Sequence, residues 1–363
     1  MRGSAEVAPV RAGEELDPAR VEAWLREHLP GLPSPLAILQ FPGGHANLTY
    51  LLRFGAPGSP ALRELVLRRP PRGPLAPGSH DMAREYKVLS RLWRHYDRAP
   101  RAHLFCADDR AAGAPCFVME YRPGVVLRRA IPDSMRQHAD LGRRVSFALV
   151  DALADLHAVD YRAAGLEDLG RPEGFAERQL AGWAKRWELA VERELPAFEE
   201  VRAALGASLP PAQAPGLIHN DPKLDNCQFD PANPDRVQSV FDWDMCTLGD
   251  PLFDMGTLLA YWGEPGDRGE RQTQLVTALD TECPSRAELA ERYAARRGVS
   301  LRDLAWYEAF GLWKSAVVLQ QLYIRWKRGQ TQDARFAGLE RVVPQLVRAA
   351  GRVLEDRAKT RSA

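Results

Sequence analysis

The chain has 363 residues, 45% hydrophobic and 27% charged, with a net charge of +1. That length can bury a sizeable core and divide into two lobes, and the even charge gives no global attraction for nucleic acid or an anionic membrane. The five cysteines, Cys106, Cys116, Cys227, Cys246 and Cys283, contain no CxxC pair, which argues against a disulfide framework and a zinc site. No run approaches the roughly 18 apolar residues of a membrane span, and the start lacks a charged-then-apolar leader pattern. A soluble cytoplasmic protein is the expectation.

Residues 1–15 read as a frayed tail. Asp17-Pro18 marks a helix start, with Val21, Trp24, Leu25 and Leu29 on one face. From residue 36 the apolar period shortens to that of strands, at 36–41, 47–54 and 64–69. Gly43-Gly44 separates the first two, which read as an antiparallel hairpin. A Pro/Gly loop over 70–78 leads into a helix over 79–96, with Met82, Tyr86, Leu89 and Leu92/Trp93 on its buried stripe. Short strands follow at about 102–107 and 116–121, so the first third is a small sheet with one helix. Past "RPG" at 122–124 the pattern turns mainly helical, with a strong amphipathic segment over 143–160 and further helices to about 206. A Pro-rich break at 210–215 precedes three short strands, 217–219, 226–230 and 237–242. Beyond Asp250 the chain is helical to its end.

Between those strands lies "LIHNDPKLDNCQFD" (217–230), with one histidine, three aspartates, one lysine and two asparagines. Its apolar borders suggest strand stubs that fix a polar loop on rigid supports. His219-Asn220-Asp221 closes the first strand, Asn226 opens the second, and Asp242 ends the third, so the three strand ends can bring Asp221, Asn226 and Asp242 together. Phosphoryl transfer needs such a trio. One carboxylate accepts the proton of the acceptor hydroxyl, while an amide oxygen and a second carboxylate hold Mg²⁺ on nucleotide phosphates. The Asp-x₄-Asn spacing matches the kinase catalytic loop. An Asp/Asn-rich turn alone is usually only a turn. Asp242, followed by "TLGDPLFD", is what favours chemistry. In that stretch Asp250 is expected to cap the next helix and brace the loop, with Asp254 one turn further on.

"IHNDPKLDN" and "VFDWDMCTLGDPLFDMG" resemble the two signature motifs of the aminoglycoside phosphotransferase/choline kinase family, and the likeness covers roughly residues 36–345. The chain is most similar to the branch whose kinase-like domain is fused to acyl-CoA dehydrogenases in animals. That closer match is carried by "LRRPPRGPLAPGSHDMAREYKVL", "LDN", "TLGDPLFDMGTLLAYW" and "LQQLYIRWKRGQT". The resemblance implies an α+β, protein-kinase-like bilobal fold. A tail and helix (1–35) would precede an N-lobe sheet and helix for nucleotide (36–121) and a mainly helical C-lobe with the catalytic loop and acceptor site (122–363).

The resemblance also implies roles. Asp221 would be the catalytic base, Asn226 and Asp242 would hold Mg²⁺ on ATP, and His219 would orient the loop by hydrogen bonding. Lys223 lies near the expected phosphate path or is a solvated loop lysine. Gly43 and Gly44 occupy the place of the phosphate-covering hairpin, with His45 beside them. Arg68 would supply the cation to the α/β-phosphates and pair with Glu85, which otherwise reads as an exposed helix residue. Backbone groups around Glu120 and Tyr121 would hydrogen-bond adenine. Three departures stand out: Arg68 replaces the usual lysine, Asn220 replaces a common glycine, and Trp243-Asp244 stands where protein kinases carry Phe-Gly. Cys227, Cys246 and His157 read as core or structural residues.

The acceptor site falls to the C-terminal helices. Residues 264–363 hold 18 Lys/Arg against 13 Asp/Glu, a net +5 that disfavours a polycationic aminoglycoside. Lys314, Gln321, Arg325 and Arg328 form a polar stripe, and Trp306, Phe310, Trp313 and Val317 an apolar one. A basic stripe beside an aromatic wall suits an anionic substrate with an apolar part, as would the hydroxyacyl-CoA that the closer resemblance implies; a solvated charged face also explains it. The reading is an ATP- and Mg²⁺-dependent kinase for a small hydroxylated molecule, with no nucleic-acid or membrane partner. Its competitors are an aminoglycoside- or choline-type kinase, a catalytically silent nucleotide-binding module, and a phosphohydrolase using Asp225 or Asp244.

Overall fold

The structure is a computed structural model that describes residues 7–42, 47–71, 80–128, 130–264, 267, 279–331 and 333–362. Gly43, Gly44 and His45 lie outside the described residues. In chain order the elements begin with α1 (Pro18–His28), β1 (Leu36–Gln40), β2 (Leu48–Phe54), β3 (Arg63–Arg69), α2 (Met82–Leu92), β4 (Ala102–Cys106), β5 (Cys116–Glu120) and β6 (Val125–Val126). There follow α3 (Leu141–His157), α4 (Phe175–Ala190), α5 (Pro196–Ala207), β7 (Gly216–Ile218), β8 (Cys227–Asp230), β9 (Asn233–Val240) and β10 (Thr247–Gly249). The chain ends in α6 (Leu252–Tyr261), α7 (Arg286–Arg297), α8 (Leu304–Lys327) and α9 (Leu339–Ser362). None of the described helices is long and apolar enough to cross a membrane.

The chain divides into two compact units. The first comprises Met1–Val126, Arg162–Leu166 and Asn226–Cys246; the second comprises Leu127–Tyr161, Glu167–Asp225 and Thr247–Ala363. In the first, an antiparallel sheet runs in the order β1-β2-β3-β5-β4. Alternation along β2 sends Tyr50, Leu52 and Phe54 into a core with Leu67, Val118, Cys106 and Cys116, and α1 closes that core with Val21, Trp24 and Leu25. Asp17 caps α1 by accepting from the Ala19 and Arg20 N–H groups. Asp81 caps α2 in the same way, accepting from Arg84 N at 3.0 Å. The buried stripe of α2 is Met82, Glu85, Val88, Leu89 and Leu92. Tyr86, expected on that stripe, is half-buried and stacks on Phe105, while Glu85 takes the buried place.

A second sheet of this unit, β6-β8-β9, starts the ladder that positions Asn226 and Asp242. β9 begins at Asn233 and stops at Val240, short of the expected Asp242. The cause is local: Asp242 sits at φ +66°, a left-handed backbone that cannot continue a strand.

In the second unit β7 pairs antiparallel with β10, Ile218 opposite Thr247. The "TLG" stretch, not expected as a strand, is therefore one that supports the polar loop. α6 and α8 cross closely because of two glycines. A Cβ on Gly256 would lie 2.3 Å from the Tyr307 carbonyl, and one on Gly311 would lie 2.8 Å from the Gly256 oxygen. Around that crossing the rings of Phe253, Trp306, Tyr307, Phe310 and Trp313 pack together. Phe198 stacks on both Trp313 and Trp187, the latter at 3.9 Å between centroids. Trp306, Phe310, Trp313 and Val317 are all buried, as their spacing predicts.

Candidate active site

The loop after β7 is held by its backbone. Asp254, fully buried on the first turns of α6, accepts from His219 N at 2.7 Å through Oδ2 and from Asn220 N at 2.7 Å through Oδ1. His157 Nε2 adds a contact to Oδ2 at 3.1 Å, and its Nδ1 meets the Tyr293 hydroxyl at 2.7 Å. Burial disfavours the Asp254 charge, yet these donors outweigh it and hold the carboxyl below its ordinary value. The expectation for Asp250 is thereby corrected. Asp250 caps α6 through Leu252 N at 2.9 Å and accepts from the Tyr307 hydroxyl; the loop is braced by Asp254, one turn on.

Asn220 has a left-handed backbone, φ +68°, and its carbonyl accepts from Lys314 Nζ at 2.9 Å. Asp221 follows. Its N–H donates to His219 Nδ1 at 3.3 Å. Its carboxylate takes Lys223 Nζ on Oδ2 at 2.6 Å and the Tyr261 hydroxyl on Oδ1 at 3.0 Å. Burial pushes the Asp221 carboxyl up, but Lys223, then His219 and Lys314, more than offset it and leave the group below its ordinary value. The result is a sheltered carboxylate that stays ionised. Lys314 is pulled the other way by its own burial, with Asp221 and Asp254 resisting.

In the other unit, Arg68 on β3 joins Glu85 and Asp242. Its Nε lies 2.9 Å from Glu85 Oε2, and its Nη2 pairs with Asp242 Oδ1. Nε and Oε2 face each other without hydrogen-bond alignment, so the contact is an ion pair with directional capacity left on both atoms. Glu85 is 1% exposed, which removes the alternative of a solvated helix glutamate. Burial raises its carboxyl, and Arg68 opposes that. Trp243 N donates to Glu85 Oε1 at 3.4 Å, tying α2 to the residue after Asp242.

Asn226 and Asp242 are brought together by the start of the β8–β9 ladder. Phe241 N donates to the Asn226 carbonyl at 2.8 Å, and Cys227 pairs with Val240. Asp242 keeps 27% of its side chain exposed. One amide oxygen and one partly open carboxylate are hard donors that suit Mg²⁺, which needs only one or two protein ligands besides water and phosphate. These residues fit that ion.

The remaining candidates are placed as follows. Glu120 ends β5, its N–H committed to the Arg101 carbonyl at 2.9 Å and its carboxylate paired with Arg122. Tyr121, half-buried, follows it. Lys314 does not line an open face; it is buried beneath the Asp221 loop, with Nζ 5.5 Å from the centre of the Trp183 ring. Gln321 and Arg325 are not gathered with it. They lie about 10 and 16 Å further along α8 by helical rise, half-buried and exposed respectively. Arg328 pairs with Glu192 at 3.5 Å. Cys227, Cys246 and His157 are buried, as read. Tyr261 and Asp254 were not singled out as site residues. Their spacing on α6, seven residues apart with apolar neighbours between, is the signal that could have found them.

The chain matches the phosphotransferase enzyme family, APH, over residues 37–310. Acyl-CoA dehydrogenase family member 11 of Gallus gallus is 31% identical over 329 residues, covering 88% of this chain and 41% of that protein. Family member 10 of Mus musculus is 32% identical over 92% of this chain and 30% of its own length. The chain thus spans less than half the length of these curated relatives. Among solved structures, a Ralstonia eutropha JMP134 protein provisionally named an aminoglycoside phosphotransferase is 27% identical, with a TM-score of 0.76 over 94% of this chain and 99% of that one. The choline kinase of Cryptosporidium parvum Iowa II, 11% identical, gives a TM-score of 0.62 over 94% of this chain and 97% of its own, a likeness of fold alone. The fold is the α+β, protein-kinase-like one of aminoglycoside phosphotransferases and choline kinases. With its motifs, its fold and a family model spanning well over half of its residues, this chain belongs to the phosphotransferase enzyme family.

Proposed function

We propose that the chain is a small-molecule kinase that transfers the γ-phosphoryl group of ATP to a hydroxyl, with a hydroxyacyl-CoA thioester as acceptor. The observation that carries the reading is the state of Asp221. It is sheltered from solvent yet kept ionised chiefly by Lys223, as a proton acceptor for a hydroxyl must be, and Tyr261 holds its other oxygen. In this reading Asp221 takes the acceptor proton and His219 holds the loop through its Nδ1. Asn226 and Asp242 hold Mg²⁺, which when bound screens the charge of the nucleotide phosphates. Arg68, oriented by Glu85, meets phosphate oxygens with a planar guanidinium in place of the lysine point charge. Lys223 is close enough to Asp221 to exchange that contact for a phosphate oxygen. The Glu120 N–H is already bonded, so adenine is held by other backbone groups of the 120–122 stretch.

The thioester acceptor is supported by the company the matching segment keeps: it makes up 41% and 30% of relatives named as acyl-CoA dehydrogenase family members. The net positive charge of residues 264–363 supports it too. The test is ADP release with Mg²⁺-ATP against a panel of hydroxyacyl-CoAs, choline and hydroxylated sugars. Turnover with the thioesters that Asp221→Asn abolishes while ATP still binds is the expected result; undiminished turnover in that variant refutes the base. A second reading, a nucleotide-binding module without turnover, is favoured by the ion pair that Arg68 makes with Asp242, because the guanidinium competes with a metal for that carboxylate. Stabilisation by Mg²⁺-ATP with no turnover on any acceptor would select it.

A further inference from the structure

Tyr261 is the last residue of α6, seven positions after Asp254 and on the same face. Its hydroxyl and the Lys223 ammonium divide the Asp221 carboxylate between them, one oxygen each. Burial and the adjacent carboxylate push the phenol well above its ordinary value, so the hydroxyl stays protonated and acts only as a donor toward Asp221.

We propose that Tyr261 is a positioning residue of the transfer step: its hydroxyl, bonded to Oδ1, fixes the plane of the Asp221 carboxylate toward the acceptor hydroxyl. The inference rests on the reading of Asp221 as base. In the step, the acceptor O–H bond breaks and its proton goes to the Asp221 carboxylate. The acceptor oxygen bonds to the γ-phosphorus, and the bond from that phosphorus to the ADP oxygen breaks. Tyr261 keeps its own proton throughout. The charged and titratable groups that bear on Asp221 include His219, Lys223 and Asp225 of the loop, Tyr261 of α6 and Lys314 of α8. Of these, Tyr261 is the one whose hydrogen bond can be removed without changing a charge.

The experiment titrates Asp221 directly, by carbon NMR of the full chain labelled at aspartate Cγ, with the resonance assigned through Asp221→Asn. Tyr261→Phe removes one hydrogen bond to the charged form, so the Asp221 pKa rises by about one unit. The acid limb of the ADP-release profile rises by the same amount, and the affinity for ATP is unchanged. Incorporation of 3-fluorotyrosine at 261, a stronger donor of nearly the same shape, moves the Asp221 titration the opposite way and keeps the test valid if the phenylalanine variant folds poorly. An Asp221 titration indifferent to both changes overturns the role of Tyr261 and leaves the base reading standing. Transfer that persists in Asp221→Asn overturns the base reading itself and the role of Tyr261 with it.

Discussion

Replacing Asp254 by asparagine changes one heavy atom and should dismantle the support of the loop. The carboxylate offers two oxygens to three buried donors: the N–H groups of His219 and Asn220, both at 2.7 Å, and His157 Nε2 at 3.1 Å. Asparagine keeps one acceptor and turns an NH₂ toward the remaining donors, so at least one loop N–H loses its partner and meets another donor. A hydrogen bond to a charged group contributes about 1.5–3 kcal/mol, and a buried donor left unmade costs about 1–3 kcal/mol. Removing one partner from a buried charged network costs roughly 3–5 kcal/mol, and the same is expected here. The loss should be local first. Amide exchange over residues 216–222 should accelerate in Asp254→Asn, and the denaturation midpoint should fall. Catalysis is more sensitive still, because a shift of about 1 Å in a reacting group costs on the order of 100-fold in rate. The pH dependence follows from the depressed carboxyl. Above the unfolded value of about 4 both states are ionised and the stabilisation is fully present. As pH falls from there toward the lower folded value, the unfolded chain binds the extra proton first and stability is lost. Asp254→Asn should flatten that acid arm. Unchanged exchange at His219 and Asn220, with an unchanged midpoint, would refute the argument.

Two further outcomes follow from the same geometry. Lys314→Met keeps the apolar stem and removes the donor to the Asn220 carbonyl; loss of one charge-assisted hydrogen bond of about 1.5–3 kcal/mol predicts a roughly 10- to 100-fold fall in kcat. The acceptor KM should hold steady, and a change confined to KM would return Lys314 to the acceptor. Arg68→Met strands Glu85 and should cost about 3–5 kcal/mol in unfolding, most of it recovered in the double variant with Glu85→Gln, where the partly exposed Asp242 carboxylate is the one charge still deprived of Arg68. Nucleotide affinity should stay low in both, so calorimetry with Mg²⁺-ATP separates the stability of the pair from its function.

Much of this was legible because it is local. The polar loop, the Asp-x₄-Asn spacing and the short strands next to Asn226 and Asp242 are set by alternation and turn chemistry over a few residues each. The Arg68–Glu85 pair was foreseeable from the resemblance, although only burial decided between a partner and a solvated side chain. Asp250 and Asp254 illustrate what local reading misses. Both sit at the start of one helix, and only the direction of the N–H groups leaving β7 selects the second. The stripe on α8 failed differently. Lys314, Gln321 and Arg325 share a helical phase, but phase ignores rise, and about 1.5 Å per residue carries Arg325 far from the loop. Tyr261 was hidden because a tyrosine closing an apolar helix looks like core until its hydroxyl is seen on Asp221.

The sequence resemblance would place glycine at position 220, and the geometry says why asparagine is tolerable there. At φ +68° a side chain with a Cβ costs roughly 1–2 kcal/mol, least for asparagine and aspartate, whose short polar groups visit this region most readily. Two of the bonds that position 220 makes are backbone ones: its N–H goes to Asp254 and its carbonyl accepts from Lys314. Glycine would keep both bonds and relieve the strain, yet it would also give the unfolded chain more freedom, worth about 0.5–1 kcal/mol in the opposite direction. The two nearly cancel. Asn220→Gly should therefore leave stability within about 1 kcal/mol of the parent and activity within a few-fold, whereas Asn220→Val, β-branched and ill-suited to the left-handed region, should lose both. Denaturation curves and ADP-release rates of the two variants decide it. A glycine variant with parent stability and activity reduced tenfold or more would mean that the side chain of Asn220, and not the backbone it carries, serves the reaction.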